Sequence, residues 1–294
     1  MTRGTIADLR SVLGKTRRYL NNPCDFLRSL QGSILAHALK KSDQPMMFTD
    51  RAGFKYWQYP GDNLRLAWER RSVTDSGNVI RYVLGNVQPG GICVDVGAHI
   101  GAISVPLWSR VGANGKVVSV EAYPDTIERL KANLRLNGYR DDYVVNAALT
   151  DRSGVLGLRC YPKSSGWQTL GEPSFARDHE SYVLDVKAID FMELAETQAL
   201  STIDFVKLDV EGAEPLVLAG MRSLLRRKLV RCLVFEVNPL MLEGMGRTPQ
   251  DLFSCWDGLD YELRRLGSDG ALRPLERRWP ENVVGDCVAL PRER

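Results

Sequence analysis

The stretch I92-CVDVGAHIGAI-S104 sets a short apolar run, Ile92, Cys93, Val94 and Val96, against a carboxylate, Asp95, and then against nearly bare backbone. The run reads as a strand buried on both faces, and Gly97 ends it where a side chain would obstruct a tight turn. A helix from about Gly101 would present free N–H groups at its positive end, the usual wall of a ligand crevice. The dinucleotide fingerprint needs glycines at its first, third and sixth positions, and here Gly97 is followed by Ala98, His99, Ile100 and Gly101. The loop therefore lacks the spacing of a pyrophosphate cradle.

Working outward, the scheme repeats. The run "NGKVVSVEAYP" (114–124) is a turn, a strand and then Glu121 at the strand end, and "PDTIERLKANLRLNG" (124–138) is a helix with Pro124 near its start and Gly138 as its stop. The run "DYVVNAAL" (142–149) reads as one further strand. After an interval at about 151–200, read as an inserted β-hairpin with a glycine- and serine-rich loop, "TIDFVKLDVEGAEP", a helix at 215–226, "VRCLVFEVNP" and a helix opened by Thr248 and Pro249 resume the alternation. The ending "YELRRLGSDG…DCVAL" suits an antiparallel closing hairpin. Alternating strands and helices imply an α/β fold with a mostly parallel sheet covered on both faces.

The chain has 294 residues, 44% of them hydrophobic and 26% charged, which excludes global disorder. No apolar run approaches the roughly 18 residues that span a bilayer, and the start lacks a signal-peptide core, so the expected location is cytoplasmic. Cysteines at 24, 93, 160, 232, 255 and 287 show no CxxC pair and read as reduced thiols. The net charge of +3 does not announce a nucleic-acid partner. Residues 1–41 nevertheless hold eight Lys and Arg against two Asp, alongside an apolar stripe at Phe26, Leu27, Leu30, Ile34, Leu35 and Ala38. The expected organisation is a basic helical extension at 1–45, a β-hairpin and helix at 46–90, and a cofactor domain at 91–294, with self-association through the amino-terminal helices.

In open α/β sheets ligands sit outside the strands' carboxyl ends. This sequence gathers polar residues there: Asp95 and Gly97, Glu121, Asn146, Asp209 and Glu211, Glu236 and Asn238. Glu121 falls 20 residues after Gly101, where a carboxylate can take both ribose hydroxyls of a nucleoside. With no pyrophosphate cradle, the cofactor expected is one without phosphate, such as S-adenosylmethionine. An NAD-dependent oxidoreductase shares the sheet but needs the missing loop. A non-catalytic protein that keeps the pocket as structure is the other alternative.

The set "VDVGAHIG", "VVSVEAYP", "VVNAALTD", "IDFVKLDVEGAE" and "LVFEVNP", over about residues 80–240, resembles the FkbM-type methyltransferases. The resemblance implies a Rossmann-like class I methyltransferase sheet and S-adenosylmethionine-dependent O-methylation of a sugar, glycan or polyketide-type hydroxyl. It also implies that Asp95, Gly97 and Gly101 surround the methionine part of the cofactor, with Glu121 on the ribose and Asn146 near adenine. His99, beside that loop, stands where the family often has asparagine. For Asp95 two roles stay open: attracting the cofactor's ammonium, or capping loop N–H groups only.

Methyl transfer to a hydroxyl needs alignment and a proton acceptor. The candidates for that acceptor are Asp209, Glu211 and Glu236, with His179 from the insertion and Glu214 beside the same strand end. Asp209, Glu236 and Asn238 together offer the oxygen set of a magnesium ion that would lower the acceptor's pKa. Lys207, within an apolar strand, is expected to pair with a carboxylate. Trp167 and Tyr161 in the insertion suit the face of a sugar, their alternative role being to anchor the loop.

Overall fold

The computed structural model describes residues 44–50, 52–59, 77–162, 164, 166–275, 279–280 and 282–293. Of the expected helical extension at 1–45, residues 1–43, His37 among them, lie outside the described residues. The chain divides into two compact units, Met1–Asp75 and Ser76–Arg294. In the first, β1 (Met46–Thr49) and β2 (Lys55–Gln58) form an antiparallel hairpin with Phe48 and Tyr56 buried. Its turn is held by Asp50, whose carboxylate accepts from the N–H groups of Ala52 and Phe54, with Gly53 at φ 89°.

The second unit opens with helix α1 (Gly77–Asn86) and strand β3 (Ile92–Val96). Helix α2 (Ser104–Val111), β4 (Lys116–Glu121), α3 (Pro124–Leu136) and β5 (Val144–Asn146) follow. Three strands then lie apart: β6 (Ala148–Thr150), β7 (Gly154–Cys160) and β8 (Tyr182–Asp190). Beyond them come α4 (Phe191–Thr197), β9 (Phe205–Leu208), α5 (Glu214–Gly220), α6 (Arg222–Arg226), β10 (Leu233–Val237), α7 (Pro239–Gly244) and α8 (Pro249–Ser254). Strands β11 (Tyr261–Leu266), β12 (Leu272–Pro274) and β13 (Gly285–Pro291) close the unit.

Among the described residues the main sheet has eight strands in the order β12-β11-β13-β10-β9-β3-β4-β5. The five strands from β10 to β5 are parallel, and β13 runs antiparallel against β10. This is the α/β sheet with an antiparallel closing strand that the alternation implied. The central strands are apolar on both faces because helices cover both: Val94, Val96, Val206, Leu208, Leu233 and Phe235 are all at most 1% exposed. The order reverses between β3 and β9, whose carboxyl ends lie side by side, with Val96 paired to Leu208. That reversal opens the crevice.

Two elements differ from the sequence reading. The single strand expected over 142–149 divides at Ala147, so that β5 extends the main sheet while β6 pairs in parallel with β8 in a separate three-stranded sheet, β6-β8-β7. The expected insertion hairpin is β7–β8, and β6 ties it to the main fold. The helix expected over 215–226 breaks at Met221 (φ −94°, ψ 5°) into α5 and α6. Just before the break, a Cβ on Gly220 would lie 2.4 Å from the carbonyl oxygen of Thr150, so helix and strand meet at main-chain distance.

Candidate active site

The loop after β3 is built for close approach. A Cβ on Gly97 (φ 77°) would stand 1.7 Å from the carbonyl oxygen of Asp209, so only glycine lets the β3 and β9 ends touch. The N–H groups of Gly97 and Ala98 both donate to Val120 O, at 2.9 and 3.0 Å. His99 takes a left-handed conformation (φ 47°), unusual for a side-chain-bearing residue, and its N–H donates to Glu121 Oε2 at 2.7 Å. Gly101 (φ 91°) packs toward Leu130. Asn133, which the sequence reading missed, donates from Nδ2 to Ile100 O at 2.8 Å while fully buried. Its signal was an amide between Leu130 and Leu134 on the apolar face of α3.

Asp95 is 1% exposed and accepts from Ser104 Oγ at 2.5 Å; Ser104 in turn lies 2.8 Å from Ser119 Oγ. The carboxylate thus anchors the first residue of α2 inside the fold. Burial pushes its pKa up to about 7, against the opposing pull of the Ser104 bond and of Lys207. Neither serine was singled out from sequence, since Ser104 and Ser119 sit in apolar runs without a local pattern.

Glu121 is buried, and its two carboxylate oxygens accept from His99 N and from Tyr123 N (2.8 Å). Burial raises its pKa and those N–H bonds lower it, the first prevailing. The Thr126 side chain and the Ala122 N–H add to that lowering. Asn146 Nδ2 donates to Glu121 O (2.9 Å) and Ala122 O (3.1 Å), pinning the end of β4.

The ends of β9 and β10 carry the acids. Carboxylate oxygens of Asp209, Glu211 and Glu236 all lie within 4.8 Å of one another. Glu211 is at φ 52°, and after it Gly212 (φ 97°) is required because a Cβ would stand 2.4 Å from Met241 O. This turn is gripped from two sides. Glu214 Oε1 accepts from Val210 N and Gly212 N, and Thr169 Oγ1, from the insertion, donates to Glu211 O at 2.7 Å. Thr169 was not picked out from sequence.

Lys207 is the cation of this cluster, nearly fully buried, with Nζ 3.1 Å from Asp286 Oδ1 and 3.5 Å from Asp209 Oδ2. Burial works to lower its pKa, but the Asp209, Asp286 and Glu236 charges together drive it upward. Desolvation first, then the charge of Asp209, raises both Glu211 and Glu236 well above the ordinary carboxylate range.

Asn238 caps the helix after β10. Its Oδ1 accepts from Met241 N at 3.4 Å as the N-cap of α7, and its Nδ2 reaches Glu236 Oε2 at 3.3 Å. The cap uses one lone pair of the amide oxygen, and Glu211 stands with Asp209 and Glu236 in one group of carboxylate oxygens. Asp209, Glu211 and Glu236 are the residues here that could hold a divalent cation. His179 lies in the insertion, its ring edge-on to Trp167 at 5.4 Å, with Phe175 at 5.0 Å and Tyr161 at 6.1 Å from the same indole.

The methyltransferase FkbM domain model matches residues 95–264, from the glycine loop through the acidic turn to β11. This chain belongs to the FkbM methyltransferase family. A protein similar to it in sequence is the hexuronic acid methyltransferase AglP of Haloferax volcanii, 26% identical over 212 residues, covering 69% of this chain and 77% of that one. The methyltransferase sdnD of Sordaria araneosa is 27% identical over 195 residues, covering 58% and 73%. Among solved structures, an O-methyltransferase from Bacillus cereus in complex with S-adenosylhomocysteine aligns with a TM-score of 0.42 at 12% identity, over 74% of this chain and 80% of that one. The FkbM chain is therefore an S-adenosylmethionine-dependent methyltransferase. Among its described residues, no helix is long and apolar enough to cross a membrane.

Proposed function

We propose that this protein methylates a hydroxyl oxygen on a sugar, glycan or polyketide-type small molecule. The observation that carries the proposal is the trio Asp209, Glu211 and Glu236, with carboxylate oxygens within 4.8 Å of one another at the strand ends beside the Gly97 loop. A neutral hydroxyl is a poor nucleophile, and a carboxylate whose pKa is raised by burial is a stronger base once ionised. S-Adenosylmethionine, when bound, supplies an electrophilic methyl group. The chain's part is to hold the donor along the Gly97–Gly101 loop and Glu121, to align the acceptor, and to take its proton onto the trio.

In the aromatic group of the insertion Tyr161 is buried and anchors the loop, which leaves the half-buried Trp167 as the ring to pack on the C–H face of a pyranose and favours a saccharide. This group belongs to the same insertion that touches Glu211 through Thr169. The name of the Haloferax relative points the same way. A magnesium ion on the three oxygens is the second reading, favoured by their mutual spacing and hard-oxygen chemistry.

Purified protein incubated with methyl-labelled S-adenosylmethionine and a panel of glycosides, glycans and polyketide alcohols tests both readings. Label should appear as a base-stable methyl ether on a saccharide. Label on nitrogen or carboxylate defeats the O-methyl reading. Activity that vanishes with chelator and returns with magnesium establishes the metal; turnover indifferent to chelator removes it.

A further inference from the structure

The insertion meets the acidic turn through a buried hydroxyl. Thr169 is 1% exposed, and its Oγ1 accepts from Gly171 N at 3.1 Å while donating to Glu211 O at 2.7 Å. A hydroxyl has one hydrogen to give, and here the Glu211 carbonyl takes it. Glu211 sits at φ 52°, where a residue with a side chain stays only if its surroundings hold it. Glu214 grips this turn through Val210 N and Gly212 N, and Thr169 grips it from the insertion. The loop that carries Thr169 is itself seated on main chain. Thr169 exchanges both of its backbone hydrogen bonds with Arg159 near the end of β7, at 2.8 and 3.1 Å. Glu172 N donates to Gly244 O at 2.8 Å, and a Cβ on Gly171 would stand 2.6 Å from that same oxygen. Gly244 ends α7, whose cap Asn238 reaches Glu236. Trp167, the half-buried ring offered to the acceptor, lies two residues before Thr169. Acceptor contact and tether therefore share one short, seated stretch.

We propose that Thr169 is a positioning residue for methyl transfer: its hydroxyl fixes the main chain of Glu211 to the loop that carries Trp167, so that carboxylate and acceptor are held in one frame. The proposal rests on the reading of Trp167 as the acceptor's ring contact and of Glu211 as a working member of the carboxylate group. It is the same whether those carboxylates act on the acceptor directly or through a cation. Without the hydroxyl, Glu211 is free to leave the left-handed region for backbone angles that a side-chain-bearing residue favours, and its carboxylate moves with the backbone. A misplacement of about 1 Å at a reacting group can cost about a hundredfold in rate.

Steady-state kinetics of the full chain test this, with methyl-labelled S-adenosylmethionine as donor and the best-labelled alcohol of the glycoside, glycan and polyketide panel as acceptor. Thr169→Val keeps the branched shape and removes the hydroxyl. It should lower kcat about tenfold or more, with acceptor KM and the calorimetric affinity for S-adenosylhomocysteine kept within about threefold. Thr169→Ser, which returns the hydroxyl, should recover kcat to within about threefold of the unaltered protein. Glu211→Gln should lower kcat as well, and because Thr169 acts through Glu211, adding Thr169→Val to it should cost less than about twofold more. Thr169→Ala takes the place of Thr169→Val if the latter does not fold; if neither folds, the hydroxyl serves stability and the proposal falls. Unchanged kcat in a folded variant, a loss carried by KM alone, losses that multiply in the double variant, or full turnover in Glu211→Gln each overturn the proposal and leave the O-methyl reading standing. A panel that takes no label overturns that reading and the proposal with it.

Discussion

The loop after β3 and the turn after β9 touch at Gly97 and Asp209, yet they treat their charges in opposite ways. In the first, each acid has its donors: Glu121 takes two backbone N–H groups and Asp95 takes the Ser104 hydroxyl. In the second, three carboxylates crowd within 4.8 Å, Glu211 is held in a left-handed conformation, and Glu214 keeps one buried oxygen without a partner. The contrast separates a loop whose carboxylates are met by donors from a turn whose carboxylates crowd one another. Both loops hold a side-chain-bearing residue in the left-handed region, His99 and Glu211, so the difference between them lies in the charges.

The comparison breaks first at Gly97. Gly97→Ala should cost more than about 4 kcal/mol or prevent folding, because the neighbour in the way is main chain and cannot rotate aside. Denaturant unfolding reads this directly, and a loss of about 1 kcal/mol would show that the two loops can separate.

Glu214 gives the next largest effect. Its pKa rises from 4.5 to about 7, chiefly through burial. A carboxylate whose folded pKa is raised binds more protons folded than unfolded, so stability falls as pH climbs from about 4.5 to 7 and stays lowered above. The share belonging to Glu214 is on the order of 3 kcal/mol. Asp95 titrates in the same window for the same reason. Glu214→Gln, which keeps an acceptor for Val210 and Gly212, should flatten the slope only in part. Melting temperatures recorded across that range check it, and an unchanged slope would place the uncompensated charge elsewhere.

The smallest effect sharpens the comparison, since it should leave the shape alone. Asp209→Asn should cost about a hundredfold in methyl transfer, roughly 2.7 kcal/mol of barrier, with donor affinity kept within about threefold. Full activity would move the proton acceptor to Glu211, Glu236 or His179. Lost donor binding would show that the acidic turn also shapes the β3 loop.

Most of the sheet was legible because its evidence is local: strands such as "ICVDV" and "FVKLDV" are apolar on both faces, and each is followed by a glycine or an acid. The division of "DYVVNAAL" was not legible, because β5 and β6 have the same apolar character and differ only in which strand pairs with each. Among the site residues, Asp209, Glu211 and Glu236 announced themselves as acids at strand ends. Asn238 stands at a strand end as well, and the cap it makes on α7 was not legible in the linear chain.

What the sequence determined by itself, then, is the alternation of strands and helices, the glycine turn and the set of strand-end acids, all of which follow from periodicity and from the steric freedom of glycine. The tertiary structure alone decided which charges are satisfied. The N–H groups for Glu121 come from His99 and Tyr123, the ammonium near Asp209 answers also to Asp286 of β13, and the hydroxyl that pins Glu211 comes from Thr169, 42 positions away. Burial and hydrogen-bond partners depend on neighbours brought together by pairing across the sheet, and no local pattern of residues encodes them.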